Sequence, residues 1–275
     1  MKSLFISKEE VFGVTDSASD GMEHIPRIIH QLWKDDEIPE NWQVTASSCR
    51  SVHLEENGWQ VILWTDEKVE RFLEDNYAWF LPTYRSYTYT IQRVDAVRYF
   101  LIYHYGGIYM DLDIGCKRDM SALLGTGSLI LPSSEPFGYS NDWFAASRHH
   151  PFLLQVMKAL PRYNHRYLTK YPTVMLSTGP LFLSIQFCYY FAKNSFKTQS
   201  RILPIELYGN TPTSFFSHVY GSSWHGKDAK LIMWLNDNLR LFLFSLVSIF
   251  FAVILLIFFV GFSRRRRVKK VHRVE

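Results

Sequence analysis

Asp111 and Asp113 stand one residue apart at the end of an apolar run, Ile108 to Met110. Two carboxylates that close repel each other, and burying them is costly unless a cation pairs with them. A hard divalent ion with oxygen ligands is the natural partner, and such an ion bridges readily to a diphosphate. On its own an Asp-x-Asp is equally readable as a solvated turn. Asp95 and Arg98 lie three residues apart, which on a helix is one face, though such a spacing also suits an ordinary surface ion pair. Tyr109 precedes Asp111 by two, so strand alternation puts them on the same side. Gly106-Gly107 permits a tight turn between helix and strand. An acid, a base, an aromatic ring and two carboxylates therefore converge on one strand end.

The elements that must position these groups follow from hydrophobic pattern and punctuation. Ile25 to Trp33 and Trp59 to Trp64 read as strands. Asn41 is a candidate cap for a helix to about Glu56, and Thr65 or Asp66 caps the next, through about Asn76. Thr88 to Tyr105 is a long helical pattern closed by Gly106-Gly107, and Ile108 to Asp113 reads as a short buried strand. Leu129 to Leu131 and Ile202 to Leu207 read as further strands, while Pro151 and Pro180 open helices to about Leu160 and Lys193. Strands alternating with helices predict a single α/β domain built on a mostly parallel sheet. Ligands of such sheets bind outside the carboxyl ends of the strands.

Charge is unevenly spread. The chain has 275 residues and a formal net charge of +4, but the last 13 residues carry +6 and the rest −2. A slightly acidic body gives no basis for a nucleic-acid partner. The 47% hydrophobic fraction excludes a largely disordered chain. Cys49, Cys116 and Cys188 show no zinc spacing and allow at most one bridge. Leu241 to Phe262 is a run of 22 uncharged residues followed by four arginines. As a helix it would be ~33 Å long, enough for a ~30 Å hydrocarbon layer. The positive-inside rule then predicts a single-pass protein with a cytosolic tail and a body facing the secretory lumen. Residues 1–24 hold no apolar run of signal-peptide length, so a tail-anchored orientation stays open. The expected organisation is a flexible leader at 1–23, a catalytic domain at 24–230, a juxtamembrane segment at 231–240, a transmembrane helix at 241–262 and a basic tail at 263–275.

Asp95-x-x-Arg98 followed by Tyr103-x-x-Gly106-Gly107-x-Tyr109-x-Asp111-x-Asp113 resembles the donor-binding core of glycosyltransferase family 32, the Asp-x-Asp transferases related to initiating α-1,6-mannosyltransferase. Ile25-Pro26-x-Ile28-Ile29-His30-Gln31-x-Trp33 is similar to the first strand of that family, and the resemblance runs from about Ile25 to Trp224. Within the family the sequence looks most like fungal inositolphosphoceramide mannosyltransferase catalytic subunits. The resemblance implies a GT-A-like fold, a nucleotide-sugar donor such as GDP-mannose, Mn²⁺ or Mg²⁺, and retention of configuration. It further implies a membrane lipid acceptor, a Golgi or other secretory-pathway membrane, and a regulatory membrane subunit as a candidate partner.

Carried over residue by residue, Asp95 and Arg98 would hold the sugar hydroxyls and the diphosphate side of the donor. Asp111 would contact sugar or ribose and the metal shell, Asp113 would ligate the metal, Tyr109 would line the donor site, and Trp33 would lie near the base. His218 or Ser222 would complete the metal shell, and Trp224 would touch the leaving diphosphate. Asp142 is a candidate for orienting the acceptor hydroxyl; a helix cap or turn acid is the plainer reading of it. Alternatives remain open: transfer to protein-linked glycans, a non-catalytic membrane partner of a transferase, and a haloacid-dehalogenase phosphatase, against which Gly115 stands where that class has Thr or Val.

Overall fold

The computed structural model describes residues 3–13, 24–135, 137–194, 199–219 and 226–238. Its main sheet has six strands: β1 (Ile28–Leu32), β2 (Gln60–Trp64), β3 (Gly107–Met110), β5 (Leu129–Pro132), β6 (Trp143–Ala146) and β7 (Ser200–Leu203), in the order β2-β1-β3-β6-β5-β7. A second sheet pairs β4 (Ile114–Cys116) with β8 (Phe216–His218). β1 pairs in parallel with both β2 and β3, and β5 with β7, whereas β6 runs antiparallel to both β3 and β5. Five of the six strands therefore run the same way, as expected of a mostly parallel sheet, and the reversal of β6 alone makes the sheet mixed. The reason is local: no crossover helix separates β5 from β6, so the chain doubles back and β6 must reverse direction. That reversal places the 133–142 loop at the end of the sheet where β3 delivers Asp111.

The helices are α1 (Lys8–Phe12), α2 (Glu40–Val52), α3 (Asp66–Tyr77), α4 (Leu81–Ser86), α5 (Thr90–Tyr105), α6 (Ser121–Leu124), α7 (Pro151–Tyr163), α8 (Lys170–Ser177), α9 (Pro180–Asn194), α10 (Ile205–Tyr208) and α11 (Lys227–Asp237). Thr65 caps α3 by accepting from the Lys68 N–H, as its position suggests. Asn41 does not cap α2, which starts after Pro39 without a side-chain cap. α5 is the central helix, and Asp95 to Ile102 are buried without interruption. It ends at Gly106 (φ 69°), and Gly107 (φ 99°) opens β3. A Cβ on Gly107 would meet the Ile28 carbonyl at 2.4 Å, so glycine lets β1 and β3 close up.

Among the described residues one stretch, Lys170–Asn194, is long and apolar enough to cross a membrane. It is interrupted at Thr178-Gly179 and more than half of it is buried, so it serves as core. The expected span at 241–262 lies outside the described residues, as do residues 239–240 of the juxtamembrane segment, whose residues 231–237 belong to α11. The chain separates into two compact units, Met1–Trp224 and His225–Glu275, and α11 belongs to the second. Residues 3–13, read from sequence as part of a loose leader, instead contain α1, whose Ser7 caps Glu10 and whose Glu10 pairs with Arg201 at 2.6 Å.

His30 shows how tightly the sheet is fixed below the site. Its Nε2 donates to the Gly106 carbonyl (3.1 Å) and its Nδ1 accepts from the Trp64 indole N–H (3.0 Å), which sets the tautomer. Burial pulls its pKa down to about 4. A proton on Nδ1 would set two donors face to face. Because the folded pKa lies below the unfolded value near 6.5, this group's contribution is intact above pH 6.5 and is lost as pH falls toward 4. His30→Gln retains one donor and one acceptor but cannot titrate. Between pH 7 and 5 the wild type should lose about 2 kcal/mol more unfolding free energy than His30→Gln. Parallel pH profiles in denaturant titrations would contradict this.

Candidate active site

Asp111 and Asp113 fall in the turn between β3 and β4, and every carbonyl of that turn is engaged. Ile114 N–H donates to Asp111 O (3.1 Å), the Thr45 hydroxyl of α2 donates to Leu112 O, and Val219 N–H donates to Asp113 O (2.9 Å). Asp111 N–H in turn donates to Asp142 O at 2.8 Å. A disulfide joins Cys49 of α2 to Cys116 of β4 just beyond the turn. The backbone under the two carboxylates is thus held from α2, β8 and the 133–142 loop at once.

Arg98 lies beneath them. It is 1% exposed and its Nη2 reaches Asp95 at 3.1 Å and Asp111 at 3.4 Å. Its Nη1 donates to the Asn141 carbonyl, and its guanidinium stacks 4.4 Å from the Tyr109 ring centre. The Tyr109 hydroxyl donates to Asp111 Oδ1, the same oxygen that faces Arg98. Asp95 is 4% exposed. Its Oδ1 accepts from Asn141 Nδ2 (3.1 Å) and its Oδ2 from the Thr178 hydroxyl (3.2 Å). Both its oxygens are engaged within the protein, so a hold on donor hydroxyls would require exchanging a partner. Burial raises the Asp95 pKa, while Arg98, Asn141 and Thr178 oppose the rise.

Asp111 is partly exposed, and burial pushes its pKa up to about 7 against the pull of Arg98, with Asp113 and Asp142 adding to the rise. Burial and Asp142 push Asp113 up to about 6. Asp111, Asp113 and Asp142 thus crowd this strand end, and Arg98 is already shared between Asp111 and a fourth acid, Asp95. That electrostatic strain fits a divalent cation.

The far side of the site is organised by Tyr208 at the end of α10. Its hydroxyl and that of Ser140 both donate to Asp142 Oδ1. Its carbonyl accepts from His218 Nε2 at 2.8 Å, and the two rings sit edge to face at 4.9 Å. Because a carbonyl only accepts, this contact places the proton on Nε2 and leaves Nδ1 as an acceptor. His218 neighbours the turn through the β4–β8 pairing, Ile114 opposite His218.

Among the described residues, no group of three or more His, Cys, Asp or Glu forms a ready-made metal cage. The donor set fits an ion that takes one or two carboxylates and completes its shell with water and phosphate oxygens, as Mg²⁺-type sites do. Trp33 follows the carboxyl end of β1, beside β3, edge-on to Trp42 at 4.9 Å. Its indole N–H and the amide of Gln31 are buried without partners among the described residues. Ser222 and Trp224 lie outside the described residues. Asn141, Thr178 and Tyr208 carry much of the geometry. Asn141 adjoins the candidate Asp142 and Thr178 lies just before the Pro180 that opens a helix, but nothing in the local pattern marks Tyr208.

Comparison with known proteins bears on this arrangement. The family described as a glycosyltransferase sugar-binding region containing a DXD motif matches residues 39–130. The chain is 58% identical over 251 residues to inositol phosphoceramide mannosyltransferase 1 of Schizosaccharomyces pombe, covering 91% of this chain and 78% of that protein. It is 41% identical to inositol phosphoceramide mannosyltransferase 3 of the same yeast, covering 90% and 69%. Mannosyl phosphorylinositol ceramide synthase SUR1 of Saccharomyces cerevisiae is 42% identical over 78% of this chain and 56% of its own length. The protein is a glycosyltransferase. It belongs to the Asp-x-Asp glycosyltransferase family 32, in the group that contains these yeast enzymes. Transfer by this class generally uses a nucleotide-sugar donor and a divalent metal, and membership removes the phosphatase reading.

Removing Arg98 while leaving its acids should be severe, because a buried charge is then uncompensated. Arg98→Met should lose about 3–5 kcal/mol of stability, and adding Asp95→Asn should recover part of it. Unfolding curves of Arg98→Met that overlay the wild type would contradict the buried network.

Proposed function

We propose that this chain transfers mannose, with retention of configuration, from GDP-mannose to the inositol head group of a phosphoinositol ceramide. The observation that carries this reading is the pinned Asp111-Leu112-Asp113 turn supported from below by Arg98, in a chain so similar to enzymes named for that transfer. A protein-linked glycan acceptor finds no specific support in the site.

The roles follow from the geometry. Asp113 and the unshared oxygen of Asp111 would hold Mn²⁺ or Mg²⁺, with His218 Nδ1 as a further acceptor. The cation supplies charge neutralisation for the departing diphosphate. Arg98 and Tyr109 fix Asp111 Oδ1, so this carboxylate points without a reorganisation cost at the moment of transfer. Asp95 acts mainly by fixing Arg98. Gln31 and Trp33 offer unpartnered polar atoms beside β1 that suit a nucleobase edge. Asp142, oriented by Ser140 and Tyr208, is placed to receive and orient the acceptor hydroxyl. The acceptor oxygen bonds the anomeric carbon from the face that the diphosphate leaves, the sugar–phosphate bond breaks, and the acceptor hydroxyl proton passes to the departing phosphate oxygen, which a cation on Asp113 would help neutralise.

The setting is a Golgi or other secretory membrane, with the catalytic unit in the lumen. Support comes from the charge pattern of the C-terminal region and from the Cys49–Cys116 bridge, since disulfides persist in oxidising compartments. The test is microsomal transfer from a panel of nucleotide sugars, with product lipids and glycans read by mass spectrometry. Mannosylated inositol phosphoceramide should appear with GDP-mannose and vanish in Asp113→Ala, which should stay folded. Undiminished transfer by Asp113→Ala would overturn the site, and mannose found only on protein glycans would overturn the acceptor.

A further inference from the structure

From Trp143 to Ile205, 63 consecutive residues contain no Asp or Glu and eight Lys or Arg. At the acid density of residues 1–262, which hold 25 acidic residues, about six would be expected there. The segment builds α7, α8 and α9, which pack together against α5. Lys158, Arg162 and Arg166 are exposed, Lys170 is partly so, and none of the four pairs with a carboxylate among the described residues. Inside a near-neutral body this is a strongly one-signed face.

Its apolar feature is equally specific. Leu168, in the connection between α7 and α8, is 102% exposed, and Tyr167 beside it is 39% exposed. The connection is held rather than loose. Tyr167 N–H donates to the Thr173 hydroxyl (3.0 Å), and Asn164 Nδ2 donates to the Ser86 hydroxyl (2.8 Å). A structured loop that projects a leucine between Arg166 and Lys170 gains nothing within the protein, whereas aromatic and aliphatic tips flanked by basic residues suit a lipid interface.

The position connects it to the site. α5 runs toward Gly106 and β3 runs back from it, so the start of α5 lies at the same end as Asp111. Lys170 Nζ sits 5.7 Å from the ring centre of Tyr89, the residue that opens α5. Asp95 is only six residues farther, about 9 Å along the helix axis. At the other end of α8, Thr178 touches Asp95. Phe137, 70% exposed, projects from the 133–142 loop at this same end of the sheet.

We propose that the rim formed by Arg162 to Lys170, with Leu168 at its tip, docks onto a bilayer surface bearing anionic phosphodiester head groups and so presents such a lipid to the site. Arg162, Arg166 and Lys170 meet the phosphates, and Leu168 enters the interfacial layer. The proposal deepens the function given above by naming how a lipid acceptor is approached, and it rests on that reading for its purpose.

The test uses the full chain in lipid nanodiscs, with Cys188, which is exposed and unpaired, changed to serine. A nitrobenzoxadiazole label is placed through Leu168→Cys, or through Glu56→Cys at the opposite end of the sheet. Discs of phosphatidylcholine with one-fifth phosphatidylinositol, and of phosphatidylcholine alone, carry shallow doxyl quenchers. Quenching at 168 should exceed that at 56 at least threefold in the anionic discs. It should fall to the level at 56 in neutral discs, in 0.5 M salt, which reduces the Debye length to roughly 4 Å, and in the Arg162→Glu, Arg166→Glu, Lys170→Glu triple variant. The salt arm needs no charge reversal, so a misfolded triple variant does not leave the idea untested. Equal quenching at 168 and 56, or quenching at 168 indifferent to lipid charge, overturns the proposal. Mannose transfer measured on the same discs separates the two readings. Docking without transfer to any acceptor sinks the function and spares the rim, and transfer without quenching does the reverse.

Discussion

One buried guanidinium sets the terms for this site. Arg98 cannot be withdrawn from water without partners, and the fold gives it Asp95 on one side and Asp111 on the other, with the Tyr109 ring across its face. The acids are as dependent on it as it is on them. This mutual requirement ties α5, which carries Asp95 and Arg98, to the end of β3, which carries Asp111. Asn141 joins the same network from the β5–β6 connection and Thr178 from the α8–α9 junction. Four segments distant in sequence thereby meet at the Asp95–Arg98 pair.

The sheet makes that convergence possible. Parallel β1 and β3 bring Trp33 and Asp111 to one end, and the reversed β6 brings Asn141 and Asp142 back to it. A fully parallel sheet would have delivered residues 141 and 142 to the opposite end. The second sheet adds His218 beside the Asp111–Asp113 turn, and the Cys49–Cys116 bridge fastens that turn to α2 from below. The outcome is a rigid floor with concentrated negative charge, open on the side where a metal and a diphosphate would enter.

Much of this was legible in the sequence. The α5 pattern, the Gly106-Gly107 turn and the two-residue spacing of Tyr109, Asp111 and Asp113 translate directly into local geometry, because helix and strand periods decide which side chains share a face. Thr65 was readable for the same reason: a cap is a local interaction. What escaped was long-range. The direction of β6 depends on how its connection folds back. Tyr208 acts through contacts with Asp142 and His218, neither of which its own neighbours in sequence foretell. Asp95 and Arg98 looked like groups that touch a ligand, and the structure has both nearly fully buried and bonded to each other and to Asp111, Asn141 and Thr178. Spacing showed that they share a face but not which way that face turns.

On the proposed function, this strand end is an incomplete cation site that the diphosphate of the donor would finish. Titrating Mn²⁺ into the protein by electron paramagnetic resonance, with and without saturating GDP, tests it most directly. Weak Mn²⁺ binding is expected alone, at least tenfold tighter binding with GDP, and loss of that coupling in Asp113→Asn. Mn²⁺ affinity that is unchanged by GDP, or coupling that survives in Asp113→Asn, would contradict it.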